Sequence, residues 1–458
     1  MAESRKDLLE RIRDENLNVY RASAQRLREG VGQESQIAQD YRGRLIYELL
    51  QNADDAMSSV DSAEAKIAFV LEDDDLWVAN SGRPLDGADV RGLCGISASS
   101  KQQSGNRRAS IGHKGMGFKS VLEITDAPEV FSTTISFRFG PTEAVRAVKE
   151  LIKEGVINNV TRAPVTRFPW PIESEPERWQ ELQTRGMNTA FRFPLLDKMT
   201  TEQRRGLSAA LENLPVTSLV FLKHLGRVEM RIRNSELSRS LAWTVTRYRV
   251  KNSGTVPVSE FSEPGTYRVV LTPDEGSPDS FLVAYEPEIA IENHRGGLDE
   301  VSWEGVNFTE VSVAARMRDE NPIALDPRWR KLHVFLPTGE SCPYDLLISG
   351  AFNSNLSRQE IRVESDASNY NRFLLEEVAR TLRDSLIPRL LSQGSSPALV
   401  LRLLDRRSPD AKQRALRSGR HRGQRTGHTQ QGRPRRGRPA EPKLIALLYG
   451  WVIGSTFI

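Results

Sequence analysis

Cysteine is nearly absent from this chain of 458 residues: Cys94 and Cys342 are the only two. Thiols that far apart give neither a disulfide framework nor a cysteine zinc site. Histidine is scarce, and His294, His333, His421 and His428 show no ligand spacing for a metal. No apolar run reaches the length of a bilayer span. The amino terminus, MAESRKDLLERIRDEN, is charged and lacks the apolar stretch of a secretory signal. A cytoplasmic protein with no membrane partner is expected. A Gly-x-Ser-x-Gly nucleophile, a cysteine–histidine pair and a nuclease-like group of carboxylates are all missing. The body also lacks positive charge. Residues 402–443 hold 14 Lys and Arg against 3 Asp and Glu, a surplus of 11, so under a total of +4 the remainder stands at −7. That argues against a nucleic-acid groove in the body and puts the basicity in the tail.

The length predicts two or three domains, each able to bury a core. Helical periodicity covers about 4–29, broken by Gly30 and Gly32, and then about 35–58. KIAFVL (66–71) and LWVAN (76–80) read as a hairpin, with Asp73, Asp74 and Asp75 as its acidic turn rather than a cation site. Residues 83–120 read as a Gly-, Ser- and Lys/Arg-rich loop that closes on a helix start at FKSVLEI. VFSTTISFRF (130–139) is a strand, 141–188 a weakly patterned insertion, and TAFRFPL (189–195) the last strand of this part. A helix at about 201–213 and the apolar run SLVFLKHL (218–225) lead out of it. Strand-like runs follow at 227–232, 242–250, 267–272, 281–286, 333–337 and 344–350, with a helix at about 368–393. From about 404 the Arg/Gly/Gln-rich composition predicts disorder. The apolar end LIALLYGWVIGSTFI is short for a span and reads either as an anchor-like end or as the product of an altered reading frame.

Two stretches carry chemistry. In YRGRLIYELLQNADDAM (41–57), Leu45, Ile46, Leu49, Leu50, Ala53 and Met57 make one apolar stripe, and Glu48, Asn52 and Asp55 make a polar one. In IGHKGMGFKS (111–120), Gly112, Gly115 and Gly117 stand before a predicted helix start, where bare backbone amides and the helix dipole suit a phosphate chain. Lys101, Arg107, Arg108 and Lys114 lie in the same loop. It is not a Walker loop, because Phe118 follows Gly117, and no strand leads into it as in a Rossmann fingerprint. Asn52 offers a carbonyl oxygen to a hard cation such as Mg²⁺, and Glu48 a carboxylate to an attacking water.

Together, Glu48–Ala56, then Asn80-Ser81-Gly82, then Gly112 to Ser120 resemble the three nucleotide motifs of the GHKL superfamily, which includes gyrase, heat-shock chaperones, histidine kinases and MutL. The nearest likeness is to sacsin-type and NO VEIN-type ATP-binding modules. It is strong over residues 1–200 and looser over 201–395. It implies an α+β chain: a Bergerat-type α/β sandwich over 1–200, a second α+β domain over 201–395, and a basic tail over 396–458. It further implies ATP and Mg²⁺ as cofactors, Glu48 as general base and Asn52 as the metal ligand, with Asp55 beside it. Gly82 would pass beside adenine and Thr189 would hold it through water. Gly112, Gly115 and Gly117 would bind phosphates, with Lys101, Lys114, Met116 and Phe118 of the lid at 92–117 alongside. Asn355-Leu-Ser357-Arg358 resembles the turn whose arginine reaches the γ-phosphate in heat-shock chaperones, which makes Arg358 a catalytic candidate. One departure stands out. The adenine-binding Asp of the second motif is Asn80 here, an uncharged acceptor, and Asp86 or Asp89 is left as a substitute. The expected function is slow, Mg²⁺-dependent ATP hydrolysis driving a chaperone-like switch on a protein client, with a homodimer as one arrangement. The alternatives are the ATPase of a nucleic-acid-associated or defence system, with the tail as contact, and a module that binds nucleotide without turnover.

Overall fold

A computed structural model describes residues 4–41, 43–95, 117–296, 298, 303, 305–355, 359–361 and 368–405. The amino-terminal helical stretch divides at Ser23, not at the glycines. α1 spans Arg5–Ala22 and α2 spans Ala24–Asp40. Ser23 is extended (φ −157°), and its amide closes α1 by donating to the Val19 carbonyl. Gly30 sits inside α2, where a Cβ would lie 2.9 Å from Cγ of Pro164, so it serves close packing rather than termination. The second expected helix is also two. α2 ends at Asp40, the chain turns through Gly43 at φ +75°, and α3 runs Leu45–Ala56.

β1 (Lys66–Glu72) and β2 (Asp75–Asn80) form the expected antiparallel hairpin. α4 spans Gly87–Cys94, and a 3-10 stretch, Gly117–Glu123, stands where a helix start was expected. β3 (Glu129–Ser132) and β4 (Phe137–Arg138) replace one longer strand. The weakly patterned 141–188 is ordered as α5 (Pro141–Lys153), β5 (Trp170–Pro171) and α6 (Glu177–Thr184), and β6 is Thr189–Pro194.

α7 (Thr201–Glu212) leads to β7 (Arg227–Arg233), β8 (Ser238–Lys251), β9 (Gly254–Val258), β10 (Gly265–Pro273) and β11 (Asp279–Ala290). Then come β12 (Phe308–Arg318), β13 (Asn321–Pro322), β14 (Lys331–Val334), β15 (Leu336–Ser341) and β16 (Leu347–Gly350). The run expected as one strand at 333–337 is a tight reversal, with Phe335 at φ 65° between paired Val334 and Leu336. The final helical stretch is α8 (Ser368–Thr381), a π turn at Leu382–Leu386, α9 (Ile387–Ser392) and α10 (Pro397–Leu403). Pro388 lies just past the π turn. A proline has no amide to donate and crowds the preceding turn, and a widened turn relieves both.

The result is a mixed α+β molecule built on one sheet of 16 strands, in the order β15-β14-β16-β12-β11-β10-β8-β7-β1-β2-β6-β3-β4-β5, with β13 on β12 and β9 on β8. It is continuous across residue 200, through the parallel pairing of β1 with β7, Lys66 opposite Arg227. Around β1 and β2 both faces are covered. Ile67, Phe69, Leu76 and Val78 join the apolar side of α3 in one core, while Ala68, Val70, Trp77 and Ala79 join Trp179 and Leu182 of α6 in another. Such a strand pair reads as a nearly unbroken apolar run, which is why the hairpin is plain in the sequence. Among the described residues no helix is long and apolar enough to cross a membrane.

Candidate functional site

The site forms where α3 meets the end of the sheet. Leu45, Ile46, Leu49, Leu50, Ala53 and Met57 are all buried in the core. Their burial fixes the roll of α3 and sets Glu48, Asn52 and Asp55 on the neighbouring stripe. Glu48 is only 2% exposed. Asn52 is half-buried, and its amide makes no hydrogen bond to a described residue.

Gly117 closes over Glu48. A Cβ there would stand 2.6 Å from Oε2 of Glu48 and 3.6 Å from its Cβ. The absence of a side chain at 117 is thus what gives the carboxylate its place. Phe118 turns into the core, its ring centroid 6.2 Å from that of Phe139 and 5.7 Å from that of Phe191. It anchors the stretch, and its ring is only 4% exposed.

The second motif lies at the other end of α3. A Cβ on Gly82 would meet the Ala56 carbonyl oxygen at 2.7 Å, and the Arg83 amide donates to that oxygen at 3.0 Å. Asn80 Oδ1 accepts from the Gly82 amide at 3.0 Å, so Asn80 shapes the turn. Strand alternation puts Asn80 on the α3 face with Leu76 and Val78. Thr189 is opposite it on β6, and Ser132 is opposite Thr189 on β3. Ser132 and Thr189 approach to 3.4 Å through their hydroxyls. Asn80, Thr189 and Ser132 therefore make a buried polar row where the apolar face of the sheet stops. Asp86 and Asp89, the alternatives to Asn80, are engaged elsewhere. They form the capping box that starts α4, and Asp89 also takes Arg83 at 2.6 Å.

Several contributors were not anticipated. Asp54, buried, accepts from the amides of Lys223, His224 and Leu225 at 3.0, 2.9 and 2.8 Å. Arg247, also buried, donates to the Leu222 and Leu225 carbonyls at 2.6 and 2.9 Å. This loop is gripped from both sides, and α3 is tied through it to the second half of the sheet. At its other end α3 is tied by Arg44, which donates to the Pro337 carbonyl on β15. Asn188 donates to the carbonyls of Ser81 and Gly82 and sets their turn. A signal for Asp54 was present: at i+4 from Leu50 it falls on the apolar stripe, where an acid must find donors.

Burial governs the titratable groups nearby. Desolvation pulls the Lys119 amine down to about 8 and pushes the Cys94 thiol up to about 12, so that thiol is inert. His333, wholly buried beside Arg44 and edge-on to Phe221, is drawn down to about 3 by burial and by that guanidinium. The candidates Lys101, Gly112, Lys114, Gly115, Met116 and Arg358 lie outside the described residues, as do residues 406–458.

What is assembled, then, is a carboxylate under a glycine, an amide one helical turn further along α3, and a buried polar row at the far end. The Sacsin domain family model matches residues 33–242, from within α2 into β8. Over 153 residues the chain is 33% identical to Protein NO VEIN of Arabidopsis thaliana. The matched stretch is 32% of this chain and 5% of that protein, so the chain spans a small fraction of its relative. Residues 33–242 are therefore similar to the Sacsin domain, and the chain is distantly similar to Protein NO VEIN.

Proposed function

We propose that the cleft between α3 and the sheet end binds ATP with Mg²⁺ and hydrolyses it slowly, on a Bergerat-type GHKL fold. The observation that carries this reading is the placement of Glu48 against Gly117, with Asn52 one turn further along α3. Anionic ligands favour bare backbone amides at such a glycine. The Asn52 side-chain oxygen fits Mg²⁺ as one hard ligand among phosphate and water oxygens. A single amide does not make a metal site alone, and among the described residues no group of three or more His, Cys, Asp or Glu is placed to hold a metal. When bound, Mg²⁺ would neutralise phosphate charge.

The residues of the chain supply the rest. The Glu48 carboxylate takes a proton from a water aligned for attack. Its burial excludes other water and strengthens that interaction. The row Asn80, Thr189 and Ser132 receives the base, Asn80 and Thr189 through hydrogen bonds of uncharged groups. Base affinity is then lower than with a carboxylate at position 80. Because α3 is tied at Arg44 and Asp54 to β15 and the 222–225 loop, a nucleotide held by α3 acts on the second half of the sheet, as a chaperone-like switch requires.

Titration calorimetry with ATP·Mg²⁺ on the full chain tests this, using the wild type, Asn52→Ala and Gly115→Val. The expectation is binding by the wild type, loss of its Mg²⁺ dependence in Asn52→Ala, and loss of binding in Gly115→Val. No binding to the wild type, or equal binding by all three, overturns it. A second reading rests on the surplus of 11 positive charges at 402–443: a nucleic-acid contact through the tail. Removing residues 406–458 should then weaken DNA binding and flatten its salt dependence, and unchanged affinity removes that reading.

A further inference from the structure

We propose that the cavity between α1 and α2 binds a small phosphomonoester, its phosphate held by Arg26, Arg167 and the hydroxyl of Tyr20. The cavity measures about 320 Å³, and Asn16, Val19, Glu29, Gly30 and Gln33 complete its lining. Glu48, Asn52, Asn80, Gly117 and Thr189 do not border it, so this is a second site, independent of the nucleotide reading. Its origin is the break at Ser23. Extended backbone there makes α1 and α2 separate rods, and residues near their adjoining ends face the gap between them. Arg167 reaches the gap from a 3-10 turn, Val165–Arg167. That turn is tied to α1 by Asn16, whose amide donates to the Arg167 carbonyl at 2.9 Å and whose oxygen takes Arg167 Nη1 at 3.5 Å. It is tied to α2 by buried Glu34, which accepts from the amides of Val165 and Thr166 at 2.7 and 3.0 Å.

Tyr20 points to an occupant. Its side chain is only 3% exposed and packs in the cluster of Leu17, Leu27 and Phe168, yet it borders the cavity, and its hydroxyl has no hydrogen-bond partner among the described residues. The polar tip of a buried tyrosine ordinarily finds a partner, and an acceptor in the cavity would supply it. Gly30 leaves room for that hydroxyl, since a Cβ there would stand 3.4 Å from it. Burial pushes the phenol up to about 12, with Arg167 opposing and Glu34 reinforcing, so it stays protonated and donates. Arg167 is half-buried, and its Nε is buried without a partner among the described residues. Arg26 is exposed and has no ion pair among them. Glu29, the carboxylate of the lining, already accepts from the Gln25 amide at 2.7 Å. Two guanidinium groups against one carboxylate leave the walls positive. Guanidinium forks and a phenol together match the several acceptor oxygens of a doubly charged phosphate better than a singly charged carboxylate. The volume lies at the lower end of ligand pockets, roughly 300–1,000 Å³, and exceeds what a bare phosphate fills. Val19, 41% exposed on the lining, offers apolar surface to the organic part of an ester.

Titration calorimetry on the full chain tests this, with phenyl phosphate, inorganic phosphate and benzoate as probes. The wild type should bind phenyl phosphate more tightly than inorganic phosphate, and benzoate about tenfold more weakly than phenyl phosphate. Arg26→Ala and Arg167→Met should each weaken phenyl phosphate by about tenfold or more, and Tyr20→Phe by about three- to tenfold with the melting temperature unchanged. Arg26 is exposed and Tyr20→Phe keeps the packed ring, so these two variants decide the matter even if Arg167→Met fails to fold. Asn52→Ala, in the nucleotide cleft, should bind phenyl phosphate as the wild type does. No binding to the wild type, or wild-type affinity in both Arg26→Ala and Tyr20→Phe, overturns the site. Inorganic phosphate bound as tightly as phenyl phosphate overturns the ester, and benzoate bound as tightly overturns the phosphate. Binding lost in Asn52→Ala but kept in Arg26→Ala moves the probe to the nucleotide cleft and also overturns the site. A wild type that binds phenyl phosphate with this pattern but no ATP·Mg²⁺ removes the nucleotide reading and leaves the cavity standing.

Discussion

Glu48 and Asp54 are buried carboxylates on the same short helix, and the molecule uses them in opposite ways. Asp54 is filled by three backbone amides of residues 223–225, the saturation expected of a structural acid. Glu48 stands under Gly117, in space made by leaving a side chain out. One acid welds α3 to the rest of the sheet, and the other is the one we propose as general base. What separates them is their surroundings: the amides of a fixed loop for one, a glycine in place of a side chain for the other.

The contrast can be broken from either side. The largest effect belongs to Glu48→Gln. Turnover, measured as phosphate release, should drop by roughly 10²–10⁴-fold while ATP·Mg²⁺ binding persists and stability moves by less than about 1 kcal/mol. If turnover is unchanged, Glu48 is only a wall of the cleft. Asp54→Ala should act on the fold. It strands three amides and should cost about 3 kcal/mol or more in urea unfolding, with Asp54→Asn in between. Gly82→Ala drives a Cβ against the Ala56 backbone and should cost about 1–3 kcal/mol, with the loss of nucleotide affinity larger than for a substitution on β2.

His333 gives the smallest effect and a sharper control. Its folded pKa is depressed, to about 3, so the unfolded chain takes up the proton first as pH falls. Stability from this group is complete above about pH 6.5 and is lost progressively below it, by about 1.4 kcal/mol at pH 5.5. His333→Met should remove that slope from urea unfolding measured between pH 7 and 5. An unchanged slope would place the acid sensitivity in other groups.

What could be read in the sequence follows from local pattern. The hairpin at 66–80 and the face of α3 were plain, because an apolar stripe at fixed period survives any tertiary context. The meeting of Glu48 with Gly117 could be expected only from a motif likeness, since spacing along the chain says nothing of a contact across it. Gly30 misled, because a glycine needed for close approach to Pro164 looks the same in sequence as one that ends a helix. β12 was missed although it is central in the sheet. In FTEVSVAARMR the residues Thr309, Ser312 and Arg316 interrupt the apolar reading, and its two faces are buried in separate cores, Ala314 in one and Val311, Val313 and Ala315 in the other. Lys119 carries no signal of its own in the sequence, because its partner, the Leu93 carbonyl at the end of α4, lies 26 positions earlier in the chain.

The parallel pairing of β1 with β7 has a consequence for handling the protein. Lys66–Glu72 is an inner strand only once Arg227–Arg233 lies beside it. A chain cut at residue 200 presents that seven-residue stretch as a bare, largely apolar edge, a template for pairing with other copies. Solubility should return abruptly when the cut moves past Lys251, where β7 and β8 are both present. The shortest soluble chain that keeps α3 and its strand pair therefore ends at the far side of β8, well past residue 200.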